Sequence, residues 1–152
     1  MKALLLLALL AQDVITFKAP EAWKKEEPSS NMRKGQYKIP DKEKTAKDAE
    51  LAIFYFGAGA GGIKANIDRW AQQMGATEVK TEVLEGAHKV HLLDLKGTYT
   101  GDAAAGPQAG ARMLGAIVEA TDGPWFFKLV GPADTVGDWK DEYVAMLKAA
   151  KR

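Results

Sequence analysis

The stretch that decides the fold is Thr121-Asp122-Gly123-Pro124-Trp125-Phe126-Phe127-Lys128-Leu129-Val130, near the C-terminal end of the chain. Asp122-Gly123 lies between two apolar runs and predicts a hairpin turn, because this pair tolerates the positive φ angles that tight hairpin turns require. The predicted strands are residues 112–120 before the turn and 125–130 after it. The stretch therefore predicts two neighbouring antiparallel strands.

A helix is predicted after the second of these strands, beginning near Thr135 once Gly131-Pro132 has ended the strand. Thr135 and Asp138 have the spacing of a capping box, in which two side chains bind free backbone N–H groups. Apolar residues recur at helical spacing and predict the buried stripe of this helix. They are Trp139, Tyr143, Met146, Leu147 and Ala150.

Residues 51–56, Leu-Ala-Ile-Phe-Tyr-Phe, are apolar at every position. A strand with one face in water alternates in polarity, so this run predicts a strand that is covered on both faces. A glycine-rich turn follows at residues 57–62, and a second amphipathic helix is predicted from Ile63 to Met74. Gly75 is placed to end that helix.

The remaining segments complete the order β-β-β-α-β-β-β-β-α. We predict an α+β fold, an antiparallel sheet of six to seven strands with one helix on each face, which is an α/β/α sandwich. Hydrophilic residues 41–48 and glycine-rich residues 97–110 predict loops. The other strands are predicted at residues 14–17, 31–39, 77–83 and 89–95.

The composition narrows the class of protein. The 152 residues suffice for one domain, and the net charge of +1 argues against nucleic acid as a partner. The chain has no cysteine, which excludes disulfides, thiolate metal sites and a cysteine nucleophile.

The N-terminus has the pattern of an export signal. One lysine precedes a short Leu- and Ala-rich run that ends at Ala11, and Gln12-Asp13 follows directly. We predict a signal peptide at residues 1–11 and a single domain at 12–152, periplasmic or secreted after removal of the signal. The alternative is a strand or helix stub buried in the fold. The run is shorter than the ~20 residues of a membrane span, so no stable membrane insertion is expected.

Gly57, Gly59 and Gly62 form the pattern G-x-G-x-x-G between a predicted strand and a predicted helix, and Glu82 lies twenty residues further on. This is the setting of a dinucleotide fingerprint, in which a pyrophosphate binds at the helix N-terminus. However, no second βαβ unit is predicted after it. The alternative function is therefore a small-molecule or nucleotide binder, or an enzyme, that uses this loop. The other interpretation is a flexible connection between strand and helix.

Catalytic and metal sites are not predicted. His88 and His91, the two histidines, stand three apart on a predicted strand and would point to opposite faces. Ser29 and Ser30 are the only serines, and neither lies on a strand-to-helix turn, which argues against a serine hydrolase. We therefore expect no catalytic residue, no metal ligand and no cofactor.

Trp23 and Arg33 are candidates for a binding surface. Trp23 lies in the loop after the first predicted strand and is the tryptophan most open to partial exposure, with Arg33 nearby in sequence. The alternative is that Trp23 closes the edge of the core.

Two segments resemble the PsbP-like superfamily, which includes PsbP, Mog and the DcrB-like exported proteins. Residues 15–23, Ile-Thr-Phe-Lys-Ala-Pro-Glu-Ala-Trp, resemble the opening strand and P-x-x-W of these domains. Residues 125–150 resemble the closing aromatic strand and helix. The resemblance implies a non-catalytic, extracytoplasmic α/β/α domain that binds or assists another protein, and we expect a monomer. No functional residue of the family carries over to this chain.

Overall fold

The computed structural model describes residues 15–151. The predicted signal peptide and Val14, the start of the first predicted strand, lie outside the described residues. Between residues 15 and 151, seven strands form one antiparallel sheet. The strands are β1 Lys24–Lys25, β2 Arg33–Ile39, β3 Ala49–Tyr55, β4 Thr81–Leu84, β5 Val90–Tyr99, β6 Gln108–Val118 and β7 Trp125–Pro132.

Three α-helices accompany the sheet in the same part of the chain. A single 3-10 turn, Gly57–Gly59, also precedes the first of them. The α+β sandwich predicted from the sequence is confirmed, with the C-terminal helix divided in two. The helices are α1 Ile63–Gln73, α2 Ala133–Asp138 and α3 Lys140–Ala149.

The strand order in the sheet is β1-β2-β3-β7-β6-β5-β4. Strand β7 is central, because Leu129 is in register with Leu51 of β3 on one side and with Leu114 of β6 on the other. The hairpin predicted at Asp122-Gly123 joins β6 to β7, and Gly123 has a φ of 131° that residues with side chains rarely adopt.

Side chains alternate between the two faces of the sheet, as strand geometry requires. On the first face, Phe127 and Leu129 pack in one cluster with α2 and α3, which contribute Val136, Tyr143 and other apolar residues. On the second face, Phe126 packs with α1, which contributes residues including Trp70. The core is therefore two apolar layers with the sheet between them.

The expectation that residues 51–56 are covered on both faces holds for the first half of the run. Leu51, Ala52 and Ile53 are all buried. Strand β3 ends at Tyr55, and Phe56 is 40% exposed. The apolar run is thus longer than the covered part of the strand.

The prediction of a first strand at residues 14–17 is wrong. Of the described residues in it, Thr16 makes only an isolated bridge to Lys151, after the end of α3. Ile15 is buried in the first-face core, and the Phe17 ring lies 5.4 Å from that of Phe127. This segment lies over the first face instead of joining the sheet, and it buries apolar side chains there.

Strands β5 and β6 extend further into the 97–110 segment than the sequence predicts. Residues 97–110 were expected to form a loop, but β5 continues to Tyr99 and β6 already begins at Gln108. Gly97 permits this, because a Cβ there would lie 2.3 Å from the carbonyl oxygen of Met74, just after α1. The glycine thus marks a close approach of two backbones inside a strand.

The predicted capping box at Thr135 and Asp138 is also wrong. The first C-terminal helix begins at Ala133, and Thr135 Oγ1 instead donates a 2.9 Å hydrogen bond to the carbonyl oxygen of Lys47. The helix is interrupted at Trp139, whose indole Nε1 donates to the carbonyl oxygen of Pro40 at 2.7 Å. Both side chains bind the 40–48 loop, so tertiary hydrogen bonds replace the local cap.

Candidate functional site

A groove of about 850 Å³ lies on the second face of the sheet, and we call it the groove. Helix α1 packs beside it, where Gly115 of β6 leaves room for the Trp70 ring. The walls of the groove are formed mainly by residues 29–33 on one side and 101–105 on the other. Its floor is formed by β3 and β7 and includes Glu50, Ala52, Phe54, Lys128 and Val130.

Lys128 is the most unusual residue of this floor. It lies half-buried on the central strand, in register with the small residues Ala52 and Gly115. Its Nζ donates a 3.2 Å hydrogen bond to Gln73 Oε1, and it lies 5.3 Å from the centre of the Tyr99 ring. Among residues 15–151, no carboxylate forms an ion pair with it.

The electrostatics follow from this burial. Burial, together with the positive charges of Arg33 and Arg69, lowers the pKa of Lys128 to about 8 against the opposing effects of Glu50 and Asp102. Burial also raises the pKa of Tyr99 to about 12. The groove therefore contains an ammonium group that loses its proton more readily than an ordinary lysine, beside a phenol that keeps its proton more firmly than an ordinary tyrosine.

Arg33, predicted from the sequence as a candidate binding residue, lies in the lining of the groove. Its Nη1 donates 2.8 Å hydrogen bonds to Gln36 Oε1 and to Glu50 Oε1, which fixes the guanidinium on the sheet. The positive charge of Arg33 is thus paired with the carboxylate of Glu50.

Trp23 is only 5% exposed, so the expectation of a partly exposed tryptophan is wrong. Its ring packs edge to face against Trp139 at 5.9 Å and belongs to the first-face core. Arg33 lines the groove on the second face, so the structure does not bring the two residues together. The alternative stated above, a tryptophan that closes the core, describes its position.

The glycine loop lies outside the groove. Apart from their chain neighbours, no atoms lie within 4 Å of the Cβ positions of Gly57, Gly59 and Gly62, so these residues border open space. Asn66 Nδ2 closes the loop by donating to the carbonyl oxygens of Ala60 and Gly62, at 3.2 and 2.9 Å. The preceding strand pairs antiparallel with both neighbours, which differs from the parallel βαβ unit of a dinucleotide-binding fold.

The two histidines are placed differently from the prediction. His88 lies in the turn before β5, not on the strand, and both rings approach Glu119. His91 Nε2 is 2.6 Å from Glu119 Oε2, and His88 Nδ1 is 3.1 Å from the backbone oxygen of Glu119. Within residues 15–151, no group of three or more His, Asp or Glu side chains is placed to hold a metal ion.

A second, smaller cavity of about 170 Å³ adjoins the groove, and we call it the aromatic pocket. Phe54 and Lys128 line both cavities, so these two side chains lie at the border between the groove and the aromatic pocket. The residues around the aromatic pocket are Phe54, Phe56, Arg69, Trp70, Gln73, Phe126 and Lys128.

Sequence reasoning missed Lys128, Tyr99 and Arg69 as site residues. One signal was available: Lys128 is the single charged residue in a strand that is otherwise apolar. A lysine in a predicted central strand either reaches a partner or lines a cavity, because an isolated buried charge is costly. Tyr99 and Arg69 carry no such signal, because only the fold brings them close to that strand.

Solved structures share this architecture. A Pseudomonas aeruginosa protein of unknown function, PA94, is 16% identical with a TM-score of 0.54, covering 91% of this chain and 97% of its own. LpqN of Mycobacterium tuberculosis, involved in cell envelope biogenesis, is 9% identical with a TM-score of 0.54, covering 90% of this chain and 82% of its own. At these identities the likeness shows a related fold.

No protein-family model matches the chain, and no curated protein matches it. Within residues 15–151, none of the helices has the length and apolar character needed to cross a membrane.

Proposed function

We propose that this protein is an extracytoplasmic, non-catalytic accessory protein that binds a segment of another protein in the groove. The observation that carries the proposal is the groove itself, a concave surface on the sheet with Lys128 at its floor. Its volume lies in the range of about 300–1,000 Å³ that is typical of ligand sites. Apolar floor residues with a few polar groups are also typical of such sites.

The character of the lining favours a polypeptide as the ligand. Cations and anions alternate along it, with Arg33 beside Glu50 and Lys38 3.9 Å from Asp48. A nucleotide or a nucleic acid would favour a surface of one sign. A peptide offers donors, acceptors and apolar groups together, which this mixed lining complements.

The extracytoplasmic location is supported by the export-signal pattern of residues 1–11 and by the LpqN likeness, since that protein acts in cell envelope biogenesis. The kinship with the PsbP-like superfamily is part of the same proposal. The related fold and the motifs at residues 15–23 and 125–150 support it.

Site-specific photo-cross-linking in the producing cells tests the proposal. A photoreactive amino acid at Ala104, an exposed residue in the wall of the groove, should give discrete cross-linked proteins. The same amino acid at Ala145, exposed on α3 and belonging to the opposite face, is the matched control. Identical products from both positions, or none from Ala104, would contradict binding in the groove.

A blocking variant gives the second readout. Ala104→Arg should reduce the cross-links formed from Met32 on the opposite wall, while Ala145→Arg should leave them unchanged. Both substitutions place an arginine at an exposed position. A loss of the Met32 cross-links in Ala104→Arg alone would therefore report that the groove is blocked, and not that the protein has unfolded.

A further inference from the structure

The aromatic pocket has the size of one apolar side chain. A cavity of roughly 150 Å³ lined by apolar groups accepts a benzene molecule. The aromatic pocket, at about 170 Å³, is bounded by the rings of Phe54, Phe56, Trp70 and Phe126. It therefore accommodates one apolar side chain of about the size of leucine or phenylalanine, in contact with rings on several sides.

Two cations without a carboxylate partner line the same pocket. Lys128 has a neutral amide as its hydrogen-bond partner, and Arg69, exposed on α1, forms no ion pair with any carboxylate of residues 15–151. The nearby carboxylate of Glu50 is already bound by Arg33. A half-buried ammonium group without a counter-charge is unfavourable, so an anion supplied by a ligand is strongly favoured here.

The groove lies next to the aromatic pocket, so the part of the ligand outside the pocket can lie in the groove. Because Lys128 and Phe54 line both, a polypeptide with its terminal side chain in the aromatic pocket passes these two residues where it enters the groove. A small free carboxylate would occupy the pocket and leave a groove of about 850 Å³ unfilled. A polypeptide that ends at the pocket would fill both.

We propose that this site recognises the free C-terminus of a partner protein. The apolar side chain of the last residue enters the aromatic pocket, the terminal carboxylate binds Lys128 and Arg69, and the preceding residues lie in the groove. The inference rests on the proposed function and specifies which part of the partner is bound.

Peptide binding to the purified protein tests the inference. The probes are hexapeptides randomised at the first five positions and ending in leucine, phenylalanine, lysine or aspartate, each prepared as the free acid and as the C-terminal amide. Calorimetric titration at pH 7 should show that the free acids ending in leucine or phenylalanine bind at least about tenfold more tightly than their amides. Equal affinity of acid and amide would overturn the inference.

Variants locate the carboxylate. Lys128→Met should abolish the preference for acid over amide, and Arg69→Gln should reduce it, because each removes one cation at the pocket. Lys96→Met, at an exposed position of β5, removes a positive charge without changing either cavity and should keep the full preference. A preference that survives Lys128→Met would also overturn the inference.

The outcomes separate this inference from the function on which it rests. Discrete cross-links from Ala104 together with peptides that bind equally as acid and amide would leave the groove as a protein-binding site and refute C-terminal recognition. Decanoate that binds at the pocket more tightly than every peptide would refute it too, since a free carboxylate would then be the ligand.

Discussion

The two faces of the sheet differ in how completely they are covered. On the first face, α2, α3, Trp23 and the segment around Phe17 pack into one continuous apolar cluster. On the second face, α1 packs against part of the sheet, and the groove lies beside it over β3 and β7. One face of the sheet is thus sealed by an apolar layer, while the other retains surface that can bind a ligand.

The largest expected effect tests the covered face. Trp139→Ala should lower the free energy of unfolding by about 3–5 kcal/mol, because it removes a buried aromatic ring. It also removes the hydrogen bond to Pro40 and the contact with the Lys42 ammonium group, 4.1 Å from the ring centre. Chemical denaturation measures the loss. A variant as stable as the native protein would show that this face is not the stabilising one.

Lys128→Met tests the opposite expectation on the second face, where a substitution should stabilise the protein. Folding lowers the pKa of Lys128 from 10.5 to about 8, so the folded state is penalised for holding the charge. At about 1.4 kcal/mol per pKa unit, removing the amine should add at most about 3 kcal/mol at pH 7. Thermal melts compare the two proteins.

The pH dependence of that gain has a definite sign. Below pH 8 the lysine is charged in both states and the penalty is complete. Between pH 8 and 10.5 the folded state loses its proton first, so the stability of the unsubstituted protein rises. The advantage of Lys128→Met should therefore shrink over this range. The pKa of the neighbouring Tyr99 lies near 12, above this range. A gain that is constant with pH would contradict the assignment.

A smaller effect is expected at Asp94, which joins β5 to β6 and to the start of α3. Asp94 accepts hydrogen bonds from Arg112 at 2.7 and 2.6 Å and from Lys140 at 3.0 Å. Asp94→Asn should cost about 1 kcal/mol at pH 7, a value reduced by partial exposure to solvent. Denaturant titration checks it, with Asp68→Asn, at an exposed pair on α1, as the control.

Acid should remove the effect of Asp94→Asn. Partial burial raises the pKa of Asp94, but the hydrogen bonds from Arg112 and Lys140 outweigh it, so the pKa lies below 3.8. Its contribution is present above about pH 4 and is lost as the pH falls through the folded-state value. The difference between native protein and variant should therefore disappear at low pH; a difference that grows there would be inconsistent with the ion pair.

The smallest effect is expected in the glycine loop. Gly59→Ala should change stability by less than about 1 kcal/mol and towards the more stable side, because its Cβ meets no atom and its φ is not positive. A thermal-shift comparison with Gly123→Ala is informative, since a Cβ at Gly123 would lie 2.4 Å from the backbone oxygen of Gly57 and should destabilise. A nucleotide that stabilises the native protein but not Gly59→Ala would revive the alternative function.

Particular residues show how far sequence patterns reach. The Asp122-Gly123 turn, the apolar run from Leu51 and the helical stripe around Tyr143 each predicted the correct element, because local φ preferences and hydrophobic periodicity act over a few residues. The prediction for Thr135 was wrong because its hydroxyl binds Lys47, 88 residues away. Trp23 was expected at the surface because nothing in its neighbourhood along the chain indicates the Trp139 ring that covers it.

The sequence by itself determined the α+β class, the antiparallel hairpin at the centre of the sheet and the two amphipathic helical segments, because each depends on local periodicity and turn chemistry. Only the tertiary structure decided which part of the second face α1 leaves uncovered. It also decided that Lys128, Tyr99 and Arg69 lie around one groove and its pocket. The physical reason is that a hydrophobic pattern reports that a face is buried but not what buries it, whereas a binding site is made from residues distant in sequence.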